Sequence, residues 1–280
     1  MITVSFAGGL GNQMFQYAFY MAQKHRKKDV KMDLSFYSTN HDHNGFELDK
    51  IFNILIDEAE EELKKKLKNE DNYFNRLKRK LGFKYRYYYQ KSAIKFYEDA
   101  MIYDDGYMCG YWQSEKYFDM IKNEVKNIYN FPDIIDERNK SMESIIRRTN
   151  SVSVHVRRGD YIGLDDFNVI PELYYLDAVN YIKGKVTDPY FFVFSNDIEW
   201  CKRNIVVNNA MFIDYNKGKE SFRDMQLMSL CKHHIIANSS FSWWGAWLGE
   251  KDNTITIAPN IWLKSCINGD IVPERWVRLG

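Results

Sequence analysis

The chain is 280 residues long, enough for one large domain or two of ordinary size. Its apolar fraction of 45%, charged fraction of 28% and net charge of +1 are those of a soluble globular protein. They exclude a dedicated nucleic-acid binder, which carries a marked basic excess. Cys109, Cys201, Cys231 and Cys266 are too far apart for a CxxC pair, which argues against a zinc site and points to reduced thiols.

The N-terminal run 2–22 is fairly apolar. It has no basic lead, and Gly8, Gly9, Gly11, Asn12, Gln13 and Gln16 interrupt it, so it reads as neither leader nor anchor and a cytoplasmic protein is expected. Residues 2–6 read as a β-branched strand, 7–11 as a glycine turn, 12–27 as a helix with a basic last turn and 30–34 as a second strand. This β-loop-α-β unit is the mark of a parallel sheet. Residues 57–99 read as a charged helical pair, increasingly basic towards its end. A solvated face is one reading of the pair; a peripheral contact with an anionic membrane surface is the other. A strand is expected at 107–112 and helices at 115–129 and 134–149. A second βα series follows: strands at 151–156, 190–195, 211–214, 234–237 and 254–258, with helices at 172–183, 197–204, 220–231 and 240–249. The boundary is placed where that series restarts, giving domains 1–149 and 150–280. In open α/β sheets ligands bind beyond the C-terminal ends of the strands.

Four strand ends carry candidate chemistry. "VSVHVRRGDYIG" (152–163) ends a strand in Arg157 and Arg158, two adjacent like charges beside His155. A diphosphate suits two guanidinium forks, and so does an internal clamp with Asp160 or Asp165. "ANSSFSWWGAWLGE" (237–250) starts a helix in Ser239, Ser240, Phe241 and Ser242, which fits an anion site or ordinary capping, with Trp243, Trp244 and Trp247 chiefly as packing. "GGLGNQ" (8–13) is neither a dinucleotide fingerprint nor a P-loop; it places Asn12 and Gln13 at a ligand edge. "FFVFSNDIEW" (191–200) runs into Ser195, Asn196 and Asp197, where capping is the plain reading.

The blocks "GGLGNQMFQYA", "HVRRGDY", "FSNDIEWCK" and "NSSFSWWGAWL" resemble the signature blocks of glycosyltransferase family 11, the α-1,2-fucosyltransferases, from Val4 to about Ala258. The resemblance implies an α/β GT-B fold, two Rossmann-like domains facing across a cleft, with an acceptor-side N-terminal domain and a donor-binding C-terminal one. It implies inverting transfer of L-fucose from GDP-L-fucose, a substrate, to a galactoside or related sugar, with no cofactor and no metal. No isolated Asp-x-Asp is present, and Asp104–Asp105 reads as a loop. By resemblance Arg157 stabilises the leaving diphosphate, and Arg158 organises the loop or the fucose side, with Asp160 as a further catalytic candidate. His155 lies near the guanine, and Asp224 accepts from its N1–H and N2–H₂. Ser195, Asn196, Ser239, Ser240 and Phe241 line the donor, and Asn12 and Gln13 reach it from the other domain. Asp165, beside Asp166, is the candidate base. His41, Asp42, His43 and Asn44 are either sugar contacts or an exposed turn.

The bacterial members of the family imply an oligosaccharide or lipid-linked glycan acceptor in surface polysaccharide synthesis, at the inner face of the membrane. The alternatives are a GDP-sugar-binding module without turnover, a fucosyltransferase of other acceptor or linkage, and a nucleotide-dependent kinase. The intact glycine loop opposes the first of these, and the missing Gly-Lys-Ser/Thr opposes the last.

Overall fold

The β-branched run near the start of the chain forms β1 (Ile2–Ser5), and the glycine turn leads into helix α1 (Leu10–His25). With β2 (Val30–Asp33), β3 (Tyr87–Tyr89) and β4 (Gly106–Cys109), β1 makes a parallel sheet of order β2-β1-β4-β3. Ile2 pairs with both Val30 and Gly106, so β1 is an inner strand. The computed structural model describes residues 1–26, 28–40, 43–69, 86–159, 169–205, 207–266 and 269–280, with the exception of the Asn69 side chain.

α1 is tied to the loops around it by three buried glutamines. Gln16 accepts from the Ala7 N–H at 3.0 Å and donates to the Gly110 carbonyl at 3.2 Å, joining the ends of β1 and β4. Gln23 donates to the Ala100 carbonyl at 3.1 Å. Gln13 is fully buried and holds a third loop. A buried amide left unpaired is costly, so each glutamine fixes its loop as well as itself.

Two expectations for this region change. The helical pair read over 57–99 is helix at Glu61–Asn69, but Tyr87–Tyr89 is strand, parallel to β4. Three consecutive tyrosines favour a pleated, half-buried edge, and Tyr87 stacks on Tyr107 with ring centroids 5.2 Å apart. Residues 70–85 lie outside the described residues. The helix expected over 115–129 is confined to Lys122–Ile128, behind two short 3-10 turns.

The second sheet is also parallel, with six strands in the order β10-β9-β8-β5-β6-β7. They are β5 (Asn150–Val156), β6 (Pro189–Ser195), β7 (Ala210–Ile213), β8 (His233–Ile235), β9 (Thr256–Pro259) and β10 (Val277–Leu279). Val152, Val154 and Val156 of β5 pack with Tyr175, Val179, Ile182 and Cys201 from the helices Glu172–Lys183 and Ile198–Asn204. Ser151, Ser153 and His155 alternate onto the other face, which the helix Ser240–Gly249 covers. Helix Phe222–Leu230 packs against that helix through Gly249, where an added Cβ would lie 2.6 Å from the Ser229 carbonyl oxygen.

The chain divides into compact units at Met1–Asn130 and Phe131–Gly280, earlier than the 149/150 boundary read from the sequence. Phe131 stacks on Phe222 at 6.3 Å, and Arg223 donates to the Pro132 carbonyl at 2.8 Å. Helix Glu137–Arg148 packs on Phe222–Leu230 and on β5, so it goes with the second unit. Among the described residues no helix is long and apolar enough to cross a membrane.

Trp243, Trp244 and Trp247 are all fully buried, and the Trp243 indole N–H donates to the Ile271 carbonyl at 2.7 Å. Trp244→Ala leaves a cavity and should destabilise the second unit by about 3–5 kcal/mol in urea unfolding. Phe241→Ala, at a half-exposed position of the same helix, should cost about 1 kcal/mol or less. Equal losses would show that the helix is not packed as described.

Candidate active site

The C-terminal end of β5 is where the sequence crowds two guanidiniums, and Arg158 is engaged internally. Arg158 follows Val156 onto the apolar-core face. Its guanidinium lies 4.1 Å from the centroid of the Trp200 ring, with Nε 3.8 Å from the Asp197 carboxylate. The strand's alternation, continued one residue past its end, carries Arg157 to the opposite face with His155. There the buried His155 ring faces Phe241, centroids 6.0 Å apart, at the first turn of Ser240–Gly249. His155, Phe241, Ser240 and the helix N-terminus thus share one face and one edge of the sheet.

The "FSND" segment after β6 builds the turn beside them. The Asn196 side-chain carbonyl accepts from the backbone N–H of Arg158 at 3.1 Å and of Gly159 at 3.4 Å. Ser195 Oγ accepts from the Asp197 N–H at 2.9 Å, and Asp197 caps its helix through the Trp200 N–H at 3.2 Å. Ser195 and Asn196 are therefore seen as shapers of the arginine turn. Ser239 is the buried N-cap residue of the tryptophan helix, its carbonyl accepting from Trp243 N–H at 3.0 Å. Ser242 is fully buried and donates to the Ser239 carbonyl at 3.2 Å.

Asp224 sits in the first turn of Phe222–Leu230, past the end of β7. Its carboxylate accepts from Asn216 Nδ2 at 2.7 Å. Asn216 and Asn139 exchange side-chain bonds of 2.9 and 3.1 Å, and Asn139 also donates to Asp136 at 3.0 Å. Burial pushes the Asp224 carboxyl up to about 7, and the Asn216 bond offsets only part of that. Asn139 and Asn216 were not legible as site residues, because only the fold brings them together across 77 positions.

In the first unit the glycine turn after β1 is held from beneath. Gln13 donates to the Gly8 carbonyl at 3.0 Å and the Gly45 carbonyl at 2.8 Å, and accepts from the Glu47 N–H at 2.9 Å. Gln13 has no exposed surface, and its side-chain amide is engaged with the loop backbone at both ends. Asn12 is half-buried and its side-chain carbonyl accepts from Gln113 at 2.8 Å. Asp160, Asp165, Asp166, His41 and Asp42 lie outside the described residues. Among the described residues no three His, Cys, Asp or Glu side chains gather into a metal-ligating group.

The model of glycosyl transferase family 11 matches residues 1–279. An alpha-1,2-colitosyltransferase of Escherichia coli is 39% identical, across 100% of this chain and 99% of its own length. The O-antigen biosynthesis glycosyltransferase WbnK of Escherichia coli is 29% identical, across 98% of each chain. The crystal structure of selenomethionine fucosyltransferase NodZ from Bradyrhizobium matches with a TM-score of 0.50 at 10% identity, over 87% of this chain and 90% of that one. Two units built on parallel sheets with helical crossovers have the GT-B fold class. Within that class the chain belongs to glycosyl transferase family 11.

The Asp224 shift has a stability consequence with a definite sign. A carboxyl whose native pKa is raised from 3.8 to about 7 holds its proton more tightly when folded, so stability falls as pH rises between those values. Asp224→Asn keeps the Asn216 bond and removes that loss. In pH-dependent urea melts the variant should match wild type near pH 4 and exceed it by roughly 2–4 kcal/mol at pH 8. A variant less stable than wild type at pH 8 would contradict the burial described.

Proposed function

We propose that the chain transfers L-fucose from GDP-β-L-fucose, with inversion, to a galactoside or related sugar in an α-1,2 linkage. The acceptor is an oligosaccharide or lipid-linked glycan of a bacterial surface polysaccharide, met in the cytoplasm. The observation that supports this most is the shared edge of the second sheet, where Arg157, His155, Phe241 and the serine-started helix converge in a chain of family 11.

In this reading the second unit holds the donor and the first holds the acceptor. Arg157 grips the β-phosphate and stabilises the charge that grows on the diphosphate as the sugar departs. A fixed guanidinium takes the place a metal fills elsewhere, so no metal is required. Ser239, Ser240 and the N-terminal N–H groups of their helix receive the remaining phosphate oxygens and the ribose. Asp224, ionised, accepts from guanine N1–H and N2–H₂ and so selects guanine over adenine. Arg158 acts through the turn: seated on Trp200 and Asp197, with Asn196 holding its backbone, it fixes where Arg157 begins. Asp165 is the proposed base, taking the proton of the acceptor hydroxyl as the new C–O bond forms.

A second donor is favoured by one observation, the 39% identity to a colitosyltransferase over the full length. Colitose is L-fucose without its 3-hydroxyl. A site built to hydrogen-bond that hydroxyl rejects the deoxy sugar strongly, whereas a site that is apolar there discriminates weakly. The ratio of kcat/KM for the two GDP-sugars decides between these donors.

The test is a panel of lactose and other β-galactosides incubated with GDP-fucose or GDP-colitose, with products read by mass spectrometry and linkage analysis. Transfer should occur and survive EDTA. Arg157→Ala should lower kcat/KM by about a hundredfold or more. Absence of any glycoside product from either donor would reject the assignment, and near-normal turnover by Arg157→Ala would remove that residue from the mechanism.

A further inference from the structure

Among the described residues of the first unit two carboxylates are buried, and their surroundings differ. Asp33, at the end of β2, is 2% exposed. Lys68 Nζ reaches it at 2.7 Å, Tyr107 OH at 2.7 Å and the Ser35 N–H at 2.9 Å, with the Ser35 hydroxyl also bonded and Lys64 Nζ 3.9 Å away. Burial alone would raise its pKa, but those donors outweigh burial and hold it below the usual carboxylate range. Asp33 is a compensated structural ion.

Glu47 is 6% exposed and has no such shell. Oε1 accepts from Asn44 Nδ2 at 3.0 Å, and among the described residues none donates to Oε2. Burial raises the Glu47 pKa, and Asn44 and Lys50 do not make up the difference. A desolvated acid with one neutral donor costs stability, and groups left in that state cluster where a ligand completes them.

Its location supports the same conclusion. Glu47 lies beyond the C-terminal end of β1, an inner strand of a parallel sheet and the edge where open α/β sheets take ligands. Gln13 clamps its backbone N–H and the Gly8 and Gly45 carbonyls. Tyr37 OH donates to the Gly8 carbonyl at 3.0 Å. The His43 ring lies against Gly9, where a Cβ would come within 3.4 Å. Gly8 has φ +81°, and a Cβ there would lie 2.6 Å from Asn12 Nδ2, so the turn admits only glycine without rearrangement. The loop is held by these bonds, and the Glu47 carboxylate within it has Asn44 as its one donor among the described residues.

We propose that Glu47 is an acceptor-binding carboxylate, taking hydrogen bonds from the hydroxyls of a neutral sugar. An ionised carboxylate only accepts hydrogen bonds, so it suits a polyol and repels an acidic sugar or a phosphate. The inference rests on the transferase reading above, with the acceptor on the first unit.

Glu47→Gln is nearly isosteric and tests it, with lactose as acceptor, GDP-fucose as donor, calorimetry with GDP and a thermal melt. Acceptor KM should rise about tenfold or more, the range of a hydrogen bond to a charged group. GDP affinity should stay within about twofold, and the melt should be no lower than wild type because a desolvated charge has gone. Glu47→Asp, which keeps the charge but shortens its reach, should raise acceptor KM in the same direction and serves if the glutamine variant does not fold. Unchanged acceptor KM, with or without a lower melt, overturns the proposal while leaving the transferase reading intact. Failure of the wild type to glycosylate any sugar of the panel overturns the transferase reading, and this proposal with it.

Discussion

Two guanidiniums on consecutive residues repel, and the repulsion is eased when each is given a different set of neighbours. Here the period of the β-strand does this. Alternation at the end of β5 sends Arg158 to the core face, where the Trp200 ring and Asp197 receive it. Continued one residue past the strand's end, the same alternation assigns Arg157 to the face of His155, whose ring lies against Phe241 at the start of a helix. Arg158 is thereby engaged internally, and the role proposed for Arg157 lies at the edge where strand ends take ligands. The Asn196 amide, bonded to the backbone N–H of Arg158 and Gly159, keeps the turn from relaxing. The phosphate chemistry proposed for the second unit depends on that division.

The same logic of compensation sorts the other polar groups. Asp33 is surrounded by cations and hydroxyls and behaves as an internal ion. Gln13 and Gln16 bond backbone groups through both ends of their amides, Gln23 bonds the Ala100 carbonyl through its Nε2, and all three behave as struts. Asp224, partly exposed, and Glu47, buried, each accept from a single side-chain amide, and desolvation raises the pKa of each. A protein that is only marginally stable keeps such groups against their desolvation penalty. In this chain one stands in each unit, near the end of a strand.

Much of this architecture was legible because the βα alternation is strong. Apolar runs of strand length and the helices after them recur with little interruption from 150 to 259, and observed elements fall within a few residues of those read from sequence. Tyr87–Tyr89 escaped because its neighbours are densely charged and its partner strand is seventeen or more residues away. The unit boundary escaped because Phe131 and Pro132 are claimed by Phe222 and Arg223 about ninety positions on. Motif residues were harder to apportion. A polar side chain at a ligand edge reads alike whether it faces a ligand, as proposed for Ser240, or fastens a loop from below, as Gln13 does. Only burial separates the two, and burial is a property of the fold. The tryptophans were more tractable, since a helix apolar on every side must be enclosed.

The central claim is that Arg157, and not Arg158, meets the nucleotide diphosphate at the end of β5. A crystal structure of the protein with bound GDP tests it most directly. The account predicts the β-phosphate within hydrogen-bond distance of the Arg157 guanidinium, beside Ser239 and Ser240, with Arg158 still stacked on Trp200. A diphosphate held by Arg158, or bound away from β5 with Arg157 engaged in an internal ion pair, would contradict it.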